Sequence, residues 1–244
     1  RVGLRGSSDH NHLLRIVGPQ GLVRWAPQYT RIVPNVARAF EVSQDARVFT
    51  FHLRQGMRWS DGTPFTADDV MFNLEDFVLA GALAPTPPRY RAGGQNVRVE
   101  KLDAHTVRFT FAEPYGDFLA ELASPLGQHP VLYAKHYCSQ FLPKYNPNVA
   151  DLVRAANAAD WQNLFDPWVV REPYVGGATR VVMARNPFFW QVDTAGNQLP
   201  YIDELFAPIA QDVQSLVLEA IAGRIDFQIR HLDTATNRPV LAQN

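Results

Sequence analysis

The sequence predicts an α/β fold with mixed sheets, and three stretches carry that expectation. Phe49 to Leu79 reads as a strand, a tight turn and a helix, and Val97 to Phe111 as a β-hairpin. Asp212 onward reads as an amphipathic helix followed by a strand through Ile225, Phe227 and Ile229. A helix of that size feeding a strand asks for a parallel neighbour.

Composition bounds what the chain can do. Its 244 residues suffice for one large domain or two small ones. A hydrophobic fraction of 46% with 19% charged residues is ordinary globular composition. The net charge of −1 provides no global field for nucleic acid or an acidic membrane. Eighteen prolines and fifteen glycines imply short, punctuated elements and long ordered loops. Cys138 is the single cysteine, so an intrachain disulfide is impossible, and a buried, inert thiol is its plain reading. No run of ~18 apolar residues is present to span a membrane. The chain starts at Arg1 without a basic segment leading into an apolar run, which is expected of a processed or excised piece.

Taken in order, Ser8 or Asp9 can cap a short helix carrying Leu13, Leu14 and Ile16, which Gly18 ends. His10 and His12 form an H-x-H in a Gly/Ser-rich segment, but zinc needs three or four convergent ligands and no second cluster has matching spacing. Trp25 reads as a packing residue ahead of a stacking platform. Phe49, Phe51 and Leu53 alternate with Thr50, His52 and Arg54, the period of a half-buried strand. Ser60-Asp61-Gly62 is turn chemistry, and Thr66 with Asp69 makes a capping box whose acid is one carbon short. Val70, Leu74, Phe77 and Val78 share a helix face, while Asp68, Asp69, Glu75 and Asp76 read as its solvated side or as complement to its N-terminus. Leu83 to Gly94 is too rich in proline and glycine for a regular element. Within it Arg89 and Arg91 could pair with a ligand carboxylate, against the plainer alternative of a solvated loop.

Beyond the hairpin, Asp117 can cap a helix with Phe118, Leu119 and Leu122, and a further helix is expected around Ala134 to Phe141. Asn146 to Phe165 reads as helical with an uneven apolar face, and Thr179 to Arg185 as a strand. Asp212 caps a helix in which Val213, Leu216, Val217, Ala220 and Ile221 keep helical spacing, closed by Gly223. Catalytic motifs are missing: there is no GxSxG, P-loop, HExxH or CxxC.

One stretch carries more than structure. Thr50, Phe51, Leu53, Arg54, Gly56, Trp59, Ser60, Asp61, Gly62, Pro64, Thr66, Ala67, Asp69 and Val70 stand in register with a TFhLR-x-G-x-x-W-S-D-G-x-P-h-T-A-x-D-V pattern. In this the chain resembles the family-5 solute-binding proteins of ABC importers, the oligopeptide- and dipeptide-binding group. Pro34-Asn35-Val36-Ala37 is similar to that family's P-N-L-A step, there a short helix leading into an extended stretch. Arg185-Asn186-Pro187-Phe188-Phe189-Trp190 and Pro200-Tyr201-Ile202-Asp203 resemble its R-N-P-Y-Y-W and P-Y-I-D elements, with two phenylalanines in place of tyrosines.

The resemblance implies a lobe of the periplasmic-binding-protein type II kind, a fragment of a two-lobed protein about twice as long. On this reading residues 1–20 start the hinge-bearing lobe, 21–170 form an inserted subdomain with the WSDG signature, and 171–244 return to the first lobe. The implied function is capture of a small solute, an oligopeptide or dipeptide first, by closure of two lobes and delivery to an ABC permease complex in the membrane. No cofactor, metal, nucleic acid or enzymatic step is implied; the protein would be monomeric and periplasmic or lipid-anchored outside the cytoplasm. The implied solute contacts are Ser8 and Asp9, in the segment before the first helix, and Tyr90 with Arg89, in the loop after the signature helix. A plain helix cap remains the alternative for Ser8 and Asp9. A hydrolase with an unrecognised site and a docking module without transport are the alternatives for the chain.

Overall fold

The computed structural model describes residues 2–5, 18, 20–80, 85–148, 166–173, 177–228, 230–232 and 235–242. Contacts divide the chain into two compact units. One comprises Arg1–Gly18, Asp166–Pro187 and Gln191–Asn244, the other Pro19–Phe165 and Phe188–Trp190. The first unit opens with β1 (Leu4–Arg5). The helix expected after Ser8 lies outside the described residues, as does most of the one expected over residues 146–165.

The second unit begins with a short hairpin of β2 (Val23–Trp25) and β3 (Ile32–Pro34). The helix expected at Pro34–Ala37 does not form. The Asn35 amide donates to Gln20 Oε1 and the Gly21 carbonyl, at 3.1 and 3.0 Å. Val36 and Ala37 N–H donate to the carbonyls of Gly21 and Leu22, so cross-strand bonds replace helical ones. The chain runs instead into β4 (Ala37–Val42), which pairs with β5 (Val48–Leu53).

β5 ends at the signature turn. Gly62 takes φ +88°, its N–H donates to the Trp59 carbonyl, and the Thr63 N–H donates to Asp61 Oδ1 at 2.9 Å. Helix α1 (Ala67–Phe72) follows with a complete capping box: Thr66 accepts from backbone, and the Asp69 carboxylate accepts from Thr66 N–H. The helix widens to π geometry over Asn73–Leu79, where the Asn73 side chain bonds the Asp69 carbonyl and both backbone groups of Tyr133. Val70, Leu74, Phe77 and Val78 are buried, as their spacing predicts. Of the four acids expected as a solvated face or as complement to the helix N-terminus, Asp69 does the latter, and Asp76 is buried, contrary to the solvated reading. Asp69 is 5% exposed because three donors converge on it, and Asp76 is covered by Lys144 Nζ and the Tyr145 hydroxyl, each at 2.6 Å.

The proline-rich loop is more regular than expected. Pro88–Tyr90 is a turn of 3₁₀ helix, and β6 (Arg91–Ala92) pairs with β7 (Gln95–Asn96) across Gly93 and Gly94, both at positive φ. The expected hairpin is β8 (Arg98–Asp103) with β9 (Thr106–Thr110), and it completes an antiparallel sheet in the order β4-β5-β9-β8. Helix α2 (Phe118–Leu122) closes the core, although Asp117 makes no capping bond. Phe118 is the hub: its ring lies 4.8 to 5.4 Å from those of Phe49, Phe109 and Phe111. A 3₁₀ segment, Pro125–Val131, leads to α3 (Lys135–Cys138) and a further 3₁₀ turn, Ser139–Phe141. Cys138 packs with Phe72, Phe77 and Leu142, and burial pushes its thiol up to about 12.

Back in the first unit, β10 (Trp168–Glu172), β11 (Arg180–Arg185) and β12 (Glu204–Ala210) are antiparallel, and β1 joins β12 in parallel to give the order β1-β12-β11-β10. Helix α4 (Val213–Ile221) is capped by Asp212, whose carboxylate accepts from Ser215 N–H at 2.7 Å. It packs against Gly3, where a Cβ would stand 2.1 Å from a Leu216 methyl. Of the strand expected through Ile225, Phe227 and Ile229, the described residues show one parallel bridge, Val2 with Phe227, and Ile229 lies outside them. A short helix, α5 (Arg238–Leu241), is the last described element.

Candidate functional site

Within the second unit, two regions combine polar side chains with special geometry. One is the signature turn with α1. Asp69 is its centre, accepting from Trp59 Nε1 at 3.2 Å, Thr66 N–H at 3.0 Å and Lys135 N–H at 3.0 Å. Burial pushes its carboxyl above the usual value against the pull of those donors. Asp61 meets His136 Nε2 at 2.6 Å on the edge of the same region. Burial acts to raise the Asp61 carboxyl, but the Thr63 N–H and His136 outweigh it and leave the group below its ordinary value. Phe188 covers Gly62, where a Cβ would come within 3.0 Å of the ring, and the Arg54 guanidinium lies 5.0 Å from the centre of the Trp190 ring. Every conspicuous residue here is spent on holding turn, helix and neighbouring segment together.

The other region surrounds Pro125–Val131. Arg89 donates to the Leu126 carbonyl and stands 3.7 Å from the Glu121 carboxylate, which also accepts from the Tyr115 hydroxyl at 2.8 Å. Burial and then that carboxylate push the Tyr115 hydroxyl up to about 12. Tyr90 is 0% exposed, with its ring edge-on to Phe118 and to His129 at 6.4 and 6.0 Å between centroids. Burial raises its hydroxyl well above the ordinary tyrosine range. His129 is held below its ordinary value by burial and by the Arg89 charge. Arg89 Nε, Tyr90 Oη and His129 Nδ1 are buried and have no hydrogen-bond partner among the described residues.

Two open clefts flank this segment. One of about 290 Å³ is walled by Trp25, Tyr29, Leu122 and Gln128. Tyr29 is 77% exposed at φ +55°, its ring 6.5 Å from that of Trp25. The other, about 160 Å³, is lined by Phe77, Pro87, His129 and Tyr133 among others. Of the expected solute contacts, Arg89 and Tyr90 therefore come together, with Arg89 largely buried and Tyr90 presenting no open surface. Ser8 and Asp9 lie outside the described residues, as do His10 and His12. Among the described residues no group of three or more His, Cys, Asp or Glu side chains is placed to hold a metal ion. Sequence reasoning missed Glu121, Gln128 and His129. The only local signal for them was Pro125 and Pro130, which mark a fixed irregular segment without saying what it faces.

One mixed and one antiparallel four-stranded sheet with the helices packed on them define a protein of the α/β class. Residues 31–238 match the family described as bacterial extracellular solute-binding proteins, family 5 Middle. The chain belongs to that family. It is 36% identical over 217 residues to the periplasmic α-galactoside-binding protein of Rhizobium meliloti, covering 80% of this chain and 28% of that one. It is 29% identical to the periplasmic oligopeptide-binding protein OppA of Escherichia coli, covering 80% of this chain and 34% of OppA. Among solved structures, an oligopeptide-binding protein OppA superposes with TM-score 0.88 at 33% identity, over 100% of this chain and 41% of that one. MelB of Agrobacterium fabrum C58, solved with stachyose, gives TM-score 0.78 at 30% identity over 98% of this chain and 35% of MelB. The chain thus spans well under half the length of each of these relatives. No helix among the described residues is long and apolar enough to cross a membrane.

Proposed function

We propose that this chain is part of a protein that captures an oligopeptide or dipeptide outside the cytoplasm and hands it to an ABC permease. The observation that carries the reading is the similarity to OppA over the whole chain at 33% identity. Closure of two lobes around the solute would exclude water from it, and the few placed polar groups of such a cleft would then fix its orientation. Ser8 and Asp9 are the proposed solute contacts. Arg89 and Tyr90 enter as polar support for a wall, since both side chains are already drawn into the protein. The protein would act as a monomer, without a cofactor and without turnover.

A second reading, an oligosaccharide in place of the peptide, is favoured by the 36% identity to an α-galactoside-binding protein and by the stachyose-bound relative. Native mass spectrometry of the full-length protein purified without refolding separates the two. A co-purified peptide, with calorimetric binding of the same peptide, supports the first reading. A co-purified hexose oligomer establishes the second, and hydrolysis of either solute on incubation overturns both.

A further inference from the structure

The cleft of about 290 Å³ beside the β2–β3 hairpin is lined from residues 21–29 and 122–128, all within the second unit. Two glycines bring these segments together. A Cβ on Gly127 would stand 2.1 Å from the Leu122 carbonyl oxygen, and one on Gly21 would stand 3.2 Å from the same atom. Arg89 fastens the later segment through the Leu126 carbonyl, and Ser124 Oγ donates to the Glu121 carbonyl at 2.7 Å. The cleft is a fixed frame.

Its aromatic lining is unusual for a turn. Tyr29 stands at φ +55°, left-handed backbone in which a bulky side chain is strained. Its N–H donates to the Ala26 carbonyl at 2.8 Å, a turn that asparagine or glycine would make without that strain. Core packing does not account for a tyrosine there. Tyr29 is 77% exposed, and its ring lies 6.5 Å from the half-buried Trp25 ring at an angle of 36°. Both residues line the cleft together with the Gln128 amide, which donates and accepts, and the Ser124 hydroxyl.

We propose that this cleft is a subsite for one pyranose ring of a neutral oligosaccharide. The C–H face of a pyranose is apolar and faintly positive, and it settles on the negative face of an indole or phenol ring. Its hydroxyls point outward in the plane of the sugar, where groups such as Gln128 and Ser124 can donate and accept. Among the described residues lining the cleft there is no carboxylate to balance a cationic guest, and the exposed Arg24 adds a donor. Size selects a single ring, because the volume lies just under the ~300–1,000 Å³ of pockets that hold drug-sized ligands. The inference rests on the oligosaccharide reading of the solute and adds to it contacts that need no residue of the first unit.

Titration calorimetry of the full-length protein with stachyose, run beside thermal unfolding, tests the subsite. Tyr29→Asn relieves the backbone and removes the ring. Affinity is expected to fall about tenfold while Tm stays level or rises. Tyr29→Phe keeps the ring and should remain within about threefold of the parent. A Tm that falls together with the affinity of Tyr29→Asn would make Tyr29 a structural residue, and an affinity unchanged in that variant would remove the cleft from the solute's contacts. Either result overturns the subsite and leaves the oligosaccharide reading standing. A parent that binds a peptide and leaves stachyose unbound overturns both.

Discussion

The signature helix and the Arg89–His129 cluster are both buried polar regions of the same unit, and they are built in opposite ways. Around Asp69 three donors meet one carboxylate, and each bond is present in the fold. Around Tyr90 three buried polar atoms make no hydrogen bond among the described residues, although Arg89 Nε faces the Glu121 carboxylate at 3.7 Å. The first arrangement fixes geometry and leaves nothing over for a ligand. The second leaves hydrogen-bonding capacity unused beside an open cleft. A conspicuous sequence motif is thus scaffold, while the unspent chemistry sits in a loop that has no motif at all.

Phe118 belongs to the core cluster that also holds Trp59, Val70 and Tyr90, so its loss should damage both regions. Phe118→Ala is expected to cost about 3–5 kcal/mol, read as a shifted urea midpoint, because a fully buried ring in contact with Phe49 and Tyr90 leaves a cavity. A loss under about 1 kcal/mol would mean the two regions do not share a core. Asp69→Ala sharpens the contrast by acting on the saturated side alone. It strands Trp59 Nε1 and two backbone N–H groups, and a loss of about 3 kcal/mol is expected in the same assay.

How far these features were legible differs between the two sides. Thr66 and Asp69 announce their capping box at three residues' spacing, and the structure completes it. The third donor to Asp69, Lys135 N–H, comes from 66 residues away, and nothing local to Asp69 points to it. Asp76 read as solvated for the same reason: Lys144 and Tyr145 cover it only in three dimensions. Pro34–Ala37 resembled a helical step but was claimed by carbonyls of Gly21 and Leu22. Tyr90 was singled out in the loop, but its burial depends on Phe118 and His129, which the fold brings in from later in the chain. Periodicity and caps are local and readable; convergence of distant polar groups is not.

The smallest effect belongs to the rim of the signature turn. The Asp61–His136 pair is about one-third exposed on each side, so Asp61→Asn should cost only about 0.5–1 kcal/mol at neutral pH. Its sign with pH is definite. The folded carboxyl lies below its unfolded value, so the contribution is complete above about pH 4 and is lost as pH falls through the folded value. Asp69, raised in the fold, works the other way: its contribution is present at acid pH and is lost as pH rises through its folded value. Denaturation curves between pH 2.5 and 6 should therefore show a shallower acid loss for Asp61→Asn than for the parent. An identical slope would remove Asp61 from the account.

The central claim is that the signature turn supports the protein and does not touch its solute. Titration calorimetry of the full-length protein with its co-purified solute, comparing the parent with Asp61→Asn, tests it most directly. The account predicts a Kd unchanged within about twofold alongside a lower Tm, since about 1.4 kcal/mol of lost contact would already show as tenfold. A tenfold or greater loss of affinity at unchanged Tm would place the turn in the binding site and contradict it.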